Sequence, residues 1–207
     1  GASVVVNYSS SKEGADKTVR EITSKGGKAI AIQANVSKPN EIQSLFKETL
    51  KAFGRVDILI NNAGIYEFAP LEEITEEHFH KQFNLNVLGL VLASQEAAKY
   101  FTSGGTIVNI SSVVSTLAPP HSAIYSATKA AVDAVTKSLA KELGPRKIRI
   151  NSINPGMVDT EGARAQGIPD SDRRKQVESA TPLGRIGTPK DIAPAVVFLC
   201  SDDADWI

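Results

Sequence analysis

The sequence predicts an α/β fold, a doubly wound parallel sheet with helices on both faces. Three observations predict it. Short β-branched runs alternate with longer amphipathic stretches from one end of the chain to the other. The strand runs are apolar throughout rather than alternating with period two, the pattern of strands covered on both faces. Gly, Pro, Ser and Thr stand where helices would begin or end. At 207 residues, the chain reads as one domain over 1–207.

The elements follow in order. Ser3-Val4-Val5-Val6-Asn7 is a strand that runs into the polar Tyr8-Ser9-Ser10-Ser11. A helix comes next, with Ser10 and Glu13 as a capping box, Glu13/Lys17, Lys17/Glu21 and Glu21/Lys25 as i,i+4 charge pairs, and Gly26-Gly27 as its end. Ala29–Ile32 is a strand, Ser37 caps a helix with Pro39 in its first turn, and Val56–Ile60 is a strand. Thr75 caps a long helix on which Phe79, Phe83, Val87, Leu90 and Val91 recur at helical spacing. Thr106–Ile110 is a strand, a second long helix covers about 123–143, and Ile148–Ile153 is a strand. Residues 155–187 form a Gly/Pro-rich stretch too long for a plain connection, as expected of a lid over a substrate. Thr188-Pro189 opens the last helix.

Composition narrows the function. Lys+Arg and Asp+Glu number 23 each, hydrophobic residues make up 42% and charged residues 22%, which excludes a disordered, collagenous or coiled-coil chain. With no net charge there is no chain-wide attraction to nucleic acid or anionic lipid, so the expected partner is a small molecule or a protein. The single Cys200 makes no internal disulfide and points to a reducing compartment, the cytoplasm. No apolar run reaches the length of about 18 residues that spans a bilayer, and the N-terminus lacks the layout of a signal peptide.

The sharpest chemical feature is Tyr125-Ser126-Ala127-Thr128-Lys129, which sets a phenol and an ammonium one turn apart on a helix face. A nearby cation stabilises a phenolate and makes tyrosine a usable acid/base, although the same spacing also occurs as a plain surface pair. Ser111-Ser112 follow a strand, at the edge where open parallel sheets bind ligands, or serve as turn residues. Asn61-Asn62-Ala63-Gly64 likewise follows a strand, where small residues let a flat ligand approach the backbone or make an ordinary turn. Asn86 sits in an apolar helix, where its amide needs partners, structural or functional. His78 and His80, two apart on a helix, cannot share a metal; His121 is a loop residue or borders a substrate, and no metal is expected.

Taken together, Asn61-Asn62-Ala63-Gly64, Asn84-Leu85-Asn86-Val87, Asn109-Ile110-Ser111-Ser112, Tyr125-x-x-x-Lys129, Asn154-Pro155-Gly156 with Val158 and Thr160, and Pro182-Leu183-Gly184-Arg185 resemble the short-chain dehydrogenase/reductase family over essentially the whole chain. Val4-Val5-Val6-Asn7-Tyr8 and the 182–187 stretch look most like the group containing β-ketoacyl carrier-protein reductases and glucose dehydrogenases. The resemblance implies a Rossmann-like fold and an enzyme that interconverts a secondary alcohol and a carbonyl by hydride transfer. In it Tyr125 is the acid, Ser112 hydrogen-bonds the carbonyl oxygen, and Lys129 lowers the Tyr125 pKa and holds the nicotinamide ribose. Asn86 keeps a water linking Lys129 to solvent. Asn62, Ala63 and Gly64 line the adenosine side, Asn35-Val36 meet adenine, and Pro155, Gly156, Val158 and Thr160 clamp the nicotinamide and phosphates.

The resemblance also carries further expectations. Gly1-Ala2-Ser3 corresponds to the turn into the family's second strand, and Ala204-Asp205-Trp206-Ile207 to the approach to its last. The first βα unit with its Gly-rich phosphate turn, and the last strand, are thus expected to be missing from these residues. That would take out the middle of the sheet and leave this 207-residue piece a poor cofactor binder, with activity assigned to the intact protein. Asn7-Tyr8-Ser9-Ser10 holds no acid to bind a ribose 2′-OH, and its serine hydroxyls suit a 2′-phosphate, so NADP is expected, with NAD left open. The two long helices, about 76–101 and 123–143, are expected to pack against their copies in a homodimer or homotetramer. A non-catalytic dinucleotide-binding sensor or scaffold is the alternative, opposed by the joint presence of Ser112, Tyr125 and Lys129.

Overall fold

Five strands form among the described residues, each on one of the β-branched runs: β1 (Ser3–Tyr8), β2 (Lys28–Gln33), β3 (Ile58–Asn61), β4 (Gly105–Ile110) and β5 (Ile148–Ile153). The computed structural model describes residues 1–165, 167 and 172–207. Every strand pair is parallel, as the unbroken apolar runs predict. The strands divide into two sheets, one of order β1-β2 and one of order β3-β4-β5. Ile107 of β4 lies between Leu59 of β3 and Ile150 of β5. On β3, Ile58 and Ile60 are 38% and 46% exposed, whereas Ile107 and Val108 of β4 are 0% exposed. Among the described strands β3 pairs with β4 alone, and its isoleucines are accordingly more exposed than the residues of β4.

Helices α1 (Lys12–Thr23), α2 (Pro39–Phe53), α4 (Leu90–Tyr100) and α6 (Ala123–Leu143) connect the strands. The core lies where α2 and α4 meet the larger sheet, with Ile42, Phe46, Ala97, Ile107, Ile148 and Ile150 all buried. Buried apolar contact of this kind is the main favourable term in folding.

Several local expectations are corrected. The N-cap of α1 is Ser11, without a side-chain cap, so the Ser10/Glu13 box does not form. The ion pairs of α1 are Lys12–Asp16 at 2.6 Å and Lys17–Glu161 at 3.7 Å rather than the predicted i,i+4 set. Ser37 does not cap α2, whose N-cap is Lys38; both the Ser37 N–H and its hydroxyl donate to Asn35 Oδ1. Thr75 does cap its helix, accepting the His78 N–H at 3.1 Å. That helix is not uniform: α3 (Glu76–Phe83) passes through a π-helical stretch, Asn84–Gly89, into α4. The apolar pattern crosses the wide turn unbroken, so spacing alone does not reveal it. Gly89 ends the stretch against the loop after β2, where a Cβ would come 2.5 Å from the Val36 carbonyl oxygen.

The short α5 (Val114–Leu117) follows β4, and within the 155–187 stretch, of which residues 166 and 168–171 lie outside the described residues, are α7 (Glu161–Ala165) and α8 (Asp172–Ala180). The two ends of the stretch are tied together: Asp159 N–H donates to Gly187 O at 2.9 Å and Gly187 N–H to Met157 O at 2.8 Å. The last helix, α9 (Pro189–Cys200), starts after Thr188 as predicted. No described helix is long and apolar enough to cross a membrane.

Candidate active site

The carboxyl end of β4 separates two serines by role. Ser111 continues the pairing, its N–H donating to Ile153 O at 2.8 Å, and its hydroxyl donates to Lys129 O at 3.2 Å. Ser112 is turned the other way. Its Oγ accepts the Val114 N–H at 3.3 Å and donates to Pro155 O at 3.5 Å, and it lies near enough to the Tyr125 phenol to draw that group's pKa down. Helix α6 brings the rest. Its start is fixed by Ser122, whose hydroxyl donates to Pro119 O at 2.6 Å and meets Ser126 Oγ at 2.7 Å. One turn on, Lys129 lies 5.9 Å from the centre of the Tyr125 ring and donates to Ile110 O at 2.8 Å. Ser112, Tyr125 and Lys129 therefore converge at one strand end.

Burial sets the charges here. It pushes the Tyr125 phenol above its ordinary value, and the hydrogen bond from Ser112 pulls the other way but less strongly. The expected lowering of Tyr125 by Lys129 is thus not what this geometry produces: desolvation wins. Lys129 is itself lowered to about 8 by burial, with Asp133 opposing. Asp133 is held by Asn154, whose amide donates to both carboxylate oxygens, at 3.1 and 2.9 Å.

Asn86, buried in the π-helical stretch, spends its amide on backbone and a hydroxyl. Its Oδ1 accepts the Ile65 N–H at 2.9 Å, and its Nδ2 donates to Ile65 O at 2.8 Å and Thr128 Oγ1 at 3.1 Å. Gly64 is wedged beside it: a Cβ there would come 3.2 Å from Asn86 Oδ1 and 3.7 Å from Lys129 Nζ. Asn62, Ala63 and Gly64 are exposed at the end of β3.

The other expected binding residues lie along the same carboxyl edge of the strands. Asn7 is occupied structurally, its amide donating to Ala34 O at 2.9 Å and Ile32 O at 3.3 Å. Tyr8 is half-buried and Ser9 exposed. The Asn35 side chain turns the chain into α2 by accepting from Ser37, and its N–H donates to Glu41 Oε2 at 2.7 Å; Val36 follows, half-buried. Pro155 O accepts the Val113 N–H at 3.0 Å, Gly156 is exposed with nothing within 4 Å of an added Cβ, and Val158 bridges to Gly187. Thr160 Oγ1 accepts the Ala163 N–H at 3.1 Å, which ties it to the start of α7. Arg185 forks onto Asp191 at 2.9 and 2.8 Å, which holds Asp191 far below the usual carboxylate range.

Asn61 and Asn109, quoted in the motifs, take up structural hydrogen bonds, whereas Tyr66, Phe68 and Gln82 escaped the sequence reading. Asn61 Nδ2 donates to Asn109 Oδ1 at 2.9 Å and to Ser94 Oγ at 3.1 Å, and Asn109 Nδ2 donates to Thr136 Oγ1 at 2.9 Å, which locks β3, β4, α4 and α6 together. Amides inside apolar strand runs were the available signal, because a buried amide needs partners. Tyr66 and Phe68 each place a ring 6.0 Å from that of Tyr125. His78 meets Gln82 at 2.7 Å, His80 pairs with Glu76 at 3.6 Å, and His121, at φ 65°, accepts the Ala69 N–H through its carbonyl. No group of three or more His, Cys, Asp or Glu among the described residues is placed to hold a metal.

Known proteins match this chain over its whole length. The family model described as enoyl-(acyl carrier protein) reductase matches residues 1–207. An uncharacterised oxidoreductase of Methylorubrum extorquens is 53% identical over 207 residues, covering 100% of this chain and 84% of the relative. A hydroxynaphthalene reductase-like protein of Metarhizium majus is 39% identical over 218 residues, 100% of this chain and 82% of its own length. A short-chain dehydrogenase of Burkholderia cenocepacia, solved in complex with NADP, superposes with a TM-score of 0.93 at 34% identity, over 100% of this chain and 83% of that one. With the whole chain matched in sequence and in fold, this protein belongs to the short-chain dehydrogenase/reductase family of oxidoreductases.

Proposed function

We propose that the protein is an NADP-dependent oxidoreductase that interconverts a secondary alcohol and a carbonyl, with Tyr125 as the acid/base. The observation that carries this reading is the meeting of the Ser112 and Tyr125 hydroxyls beside the buried ammonium of Lys129 at one strand end. The Tyr125 phenol, whose ordinary pKa near 10 already leaves it protonated at neutral pH and which burial raises further, is in the form that carbonyl reduction requires.

The residues present fit the nicotinamide half of a dinucleotide. A Cβ on Gly64 would fill the space against Asn86 and Lys129, and Lys129 commits one of its three donors to Ile110 O, leaving two for ribose hydroxyls or water. Asn62, Ala63, Pro155, Gly156, Val158 and Thr160 border the same edge and would line the cofactor. When bound, the nicotinamide supplies or accepts the hydride. Ser112 Oγ–H donates to the carbonyl oxygen and orients it. Tyr125 Oη–H donates to the same oxygen and gives up its proton as charge develops there. The Lys129 ammonium steadies the phenolate that remains, and Asn86 would retain a water that links Lys129 to solvent and returns the proton.

NADP rather than NAD is favoured by the end of β1, where Tyr8, Ser9 and Ser10 present no carboxylate to repel a 2′-phosphate, and by the NADP bound in the Burkholderia cenocepacia relative. The Metarhizium majus relative is named for a reductase of a small ring compound, which supports a small-molecule carbonyl or alcohol as substrate. A cytoplasmic homodimer or homotetramer, assembled through α4 and α6, completes the proposal.

The test is a titration of the intact protein with NADPH and NADH, followed by addition of simple ketones. NADPH oxidation that depends on ketone supports the reading. Tight NADPH binding with no turnover over a broad ketone panel would make the protein a sensor or scaffold instead.

A further inference from the structure

We infer that Tyr66 selects the substrate, holding a carbonyl carried on a flat ring against Tyr125, and that the buried amide of Gln82 positions Tyr66; this rests on carbonyl reduction at Tyr125. After Gly64 the chain runs along the helix that carries Asn86. Two amides of that helix, four positions apart, grip it in turn. Asn86 pairs with both the N–H and the C=O of Ile65, at 2.9 and 2.8 Å. Gln82 pairs with both the N–H and the C=O of Glu67, at 3.3 and 3.2 Å. This imitates the pairing of a strand, in which alternate residues exchange both backbone bonds with a neighbour.

The intervening residues therefore share the opposite side. Tyr66 and Phe68 both turn to Tyr125, each with ring centres 6.0 Å apart, tilted at 56° and 71°. Such offset and edge-on pairs are attractive, and together they make an aromatic wall at the acid. Tyr66 reaches on towards α7 of the 155–187 stretch, since a Cβ on Gly162 would come 3.9 Å from Tyr66 Oη. A ring held beside Tyr125 has two aromatic side chains to pack against, and a short aliphatic ketone has little area to offer them.

Gln82 is 0% exposed, which is unusual for an amide and is accounted for by its bonds to Glu67 and by His78, whose Nε2 accepts from Gln82 Nε2 at 2.7 Å. It touches neither Tyr125 nor Lys129 in this network. Its effect on the reaction runs through the path of residues 65–68.

The experiment measures kcat/KM for β-tetralone relative to butanone with NADPH, in the intact protein and in Tyr66→Ala, Gln82→Met and the double variant, with thermal melts. Calorimetric titration with β-naphthol gives a readout free of turnover. Tyr66→Ala is expected to lower the tetralone-over-butanone ratio about tenfold and to weaken β-naphthol in parallel. Gln82→Met should act in the same direction, and add nothing further once Tyr66 is Ala. An unchanged ratio and unchanged β-naphthol affinity in Tyr66→Ala would overturn the inference. Full additivity of the two substitutions would overturn the positioning role, and if Gln82→Met does not fold, the Tyr66→Ala arms decide. A wild type that reduces neither ketone would refute the function on which this rests, while β-naphthol binding would still decide for or against Tyr66.

Discussion

The two sheets are held differently and carry different tasks. In β4, Thr106, Ile107, Val108 and Asn109 are all buried, and the amide of Asn109 is fully engaged by Asn61 and Thr136. In β1 and β2 no residue is fully buried, and the polar end of β1 is tied to the β2 side through the Asn7 amide and the Tyr8 and Ser9 carbonyls. Ser112 and Lys129 hang from the locked sheet and its helix; the residues proposed to choose between NADP and NAD hang from the loose one. The difference teaches where precision is needed. Reacting atoms lose rate with small displacements, whereas a side chain that meets a phosphate from solvent can be exchanged at little cost to the core.

The contrast is broken most strongly at Lys129. Lys129→Ala is expected to cut ketone reduction by about 10²–10⁴-fold and to weaken NADPH as well, measured by steady-state kinetics and calorimetry. Turnover that survives would place the reacting groups elsewhere. In stability, Ile107→Ala, at a site that is 0% exposed, is expected to cost about 2–5 kcal/mol in urea unfolding. Val5→Ala in half-buried β1 is expected to cost about 1–2 kcal/mol, and equal losses would erase the distinction between the sheets.

Titration sharpens the comparison further. Burial lowers Lys129 from 10.5 to about 8, so between those values the unfolded chain holds a proton that the folded chain has released, and stability rises with pH. From about pH 10 the raised Tyr125 acts in the opposite sense, because the folded chain keeps a proton that the unfolded chain gives up. The clean rise therefore lies between about 8 and 10, at no more than about 1.4 kcal/mol per pH unit. Unfolding of Lys129→Met should show that slope flattened. The smallest expected effect is at the loose sheet. Ser9→Asp should shift the ratio of NADPH to NADH affinity about tenfold towards NADH, with an unfolding free energy changed by less than about 0.5 kcal/mol.

How far the sequence could be read follows from what each signal depends on. Ile148–Ile153 was read to the residue because an isoleucine-rich run between Gly144-Pro145 and Pro155-Gly156 leaves little choice. Val56 was read as strand but precedes β3; it is 8% exposed and lies in the core, and apolarity marks burial rather than sheet pairing. The π-helical stretch stayed hidden because one wide turn leaves the apolar spacing nearly intact. At the site, the i,i+4 spacing brought Tyr125 and Lys129 to one face, as expected. The direction of the Tyr125 shift was not legible, since it depends on how much protein surrounds the phenol and not on its neighbours in sequence. Tyr66, Phe68 and Gln82 were missed for the same kind of reason: their part depends on the path of residues 65–68, which two amides fix from another helix.

The central claim is that Tyr125 is the proton donor. It is tested most directly by Tyr125→Phe in the intact protein, with ketone turnover and NADPH affinity measured on the same preparation. The account predicts that turnover falls by about 10²–10⁴-fold while NADPH affinity stays within about threefold. Turnover close to that of wild type would contradict it.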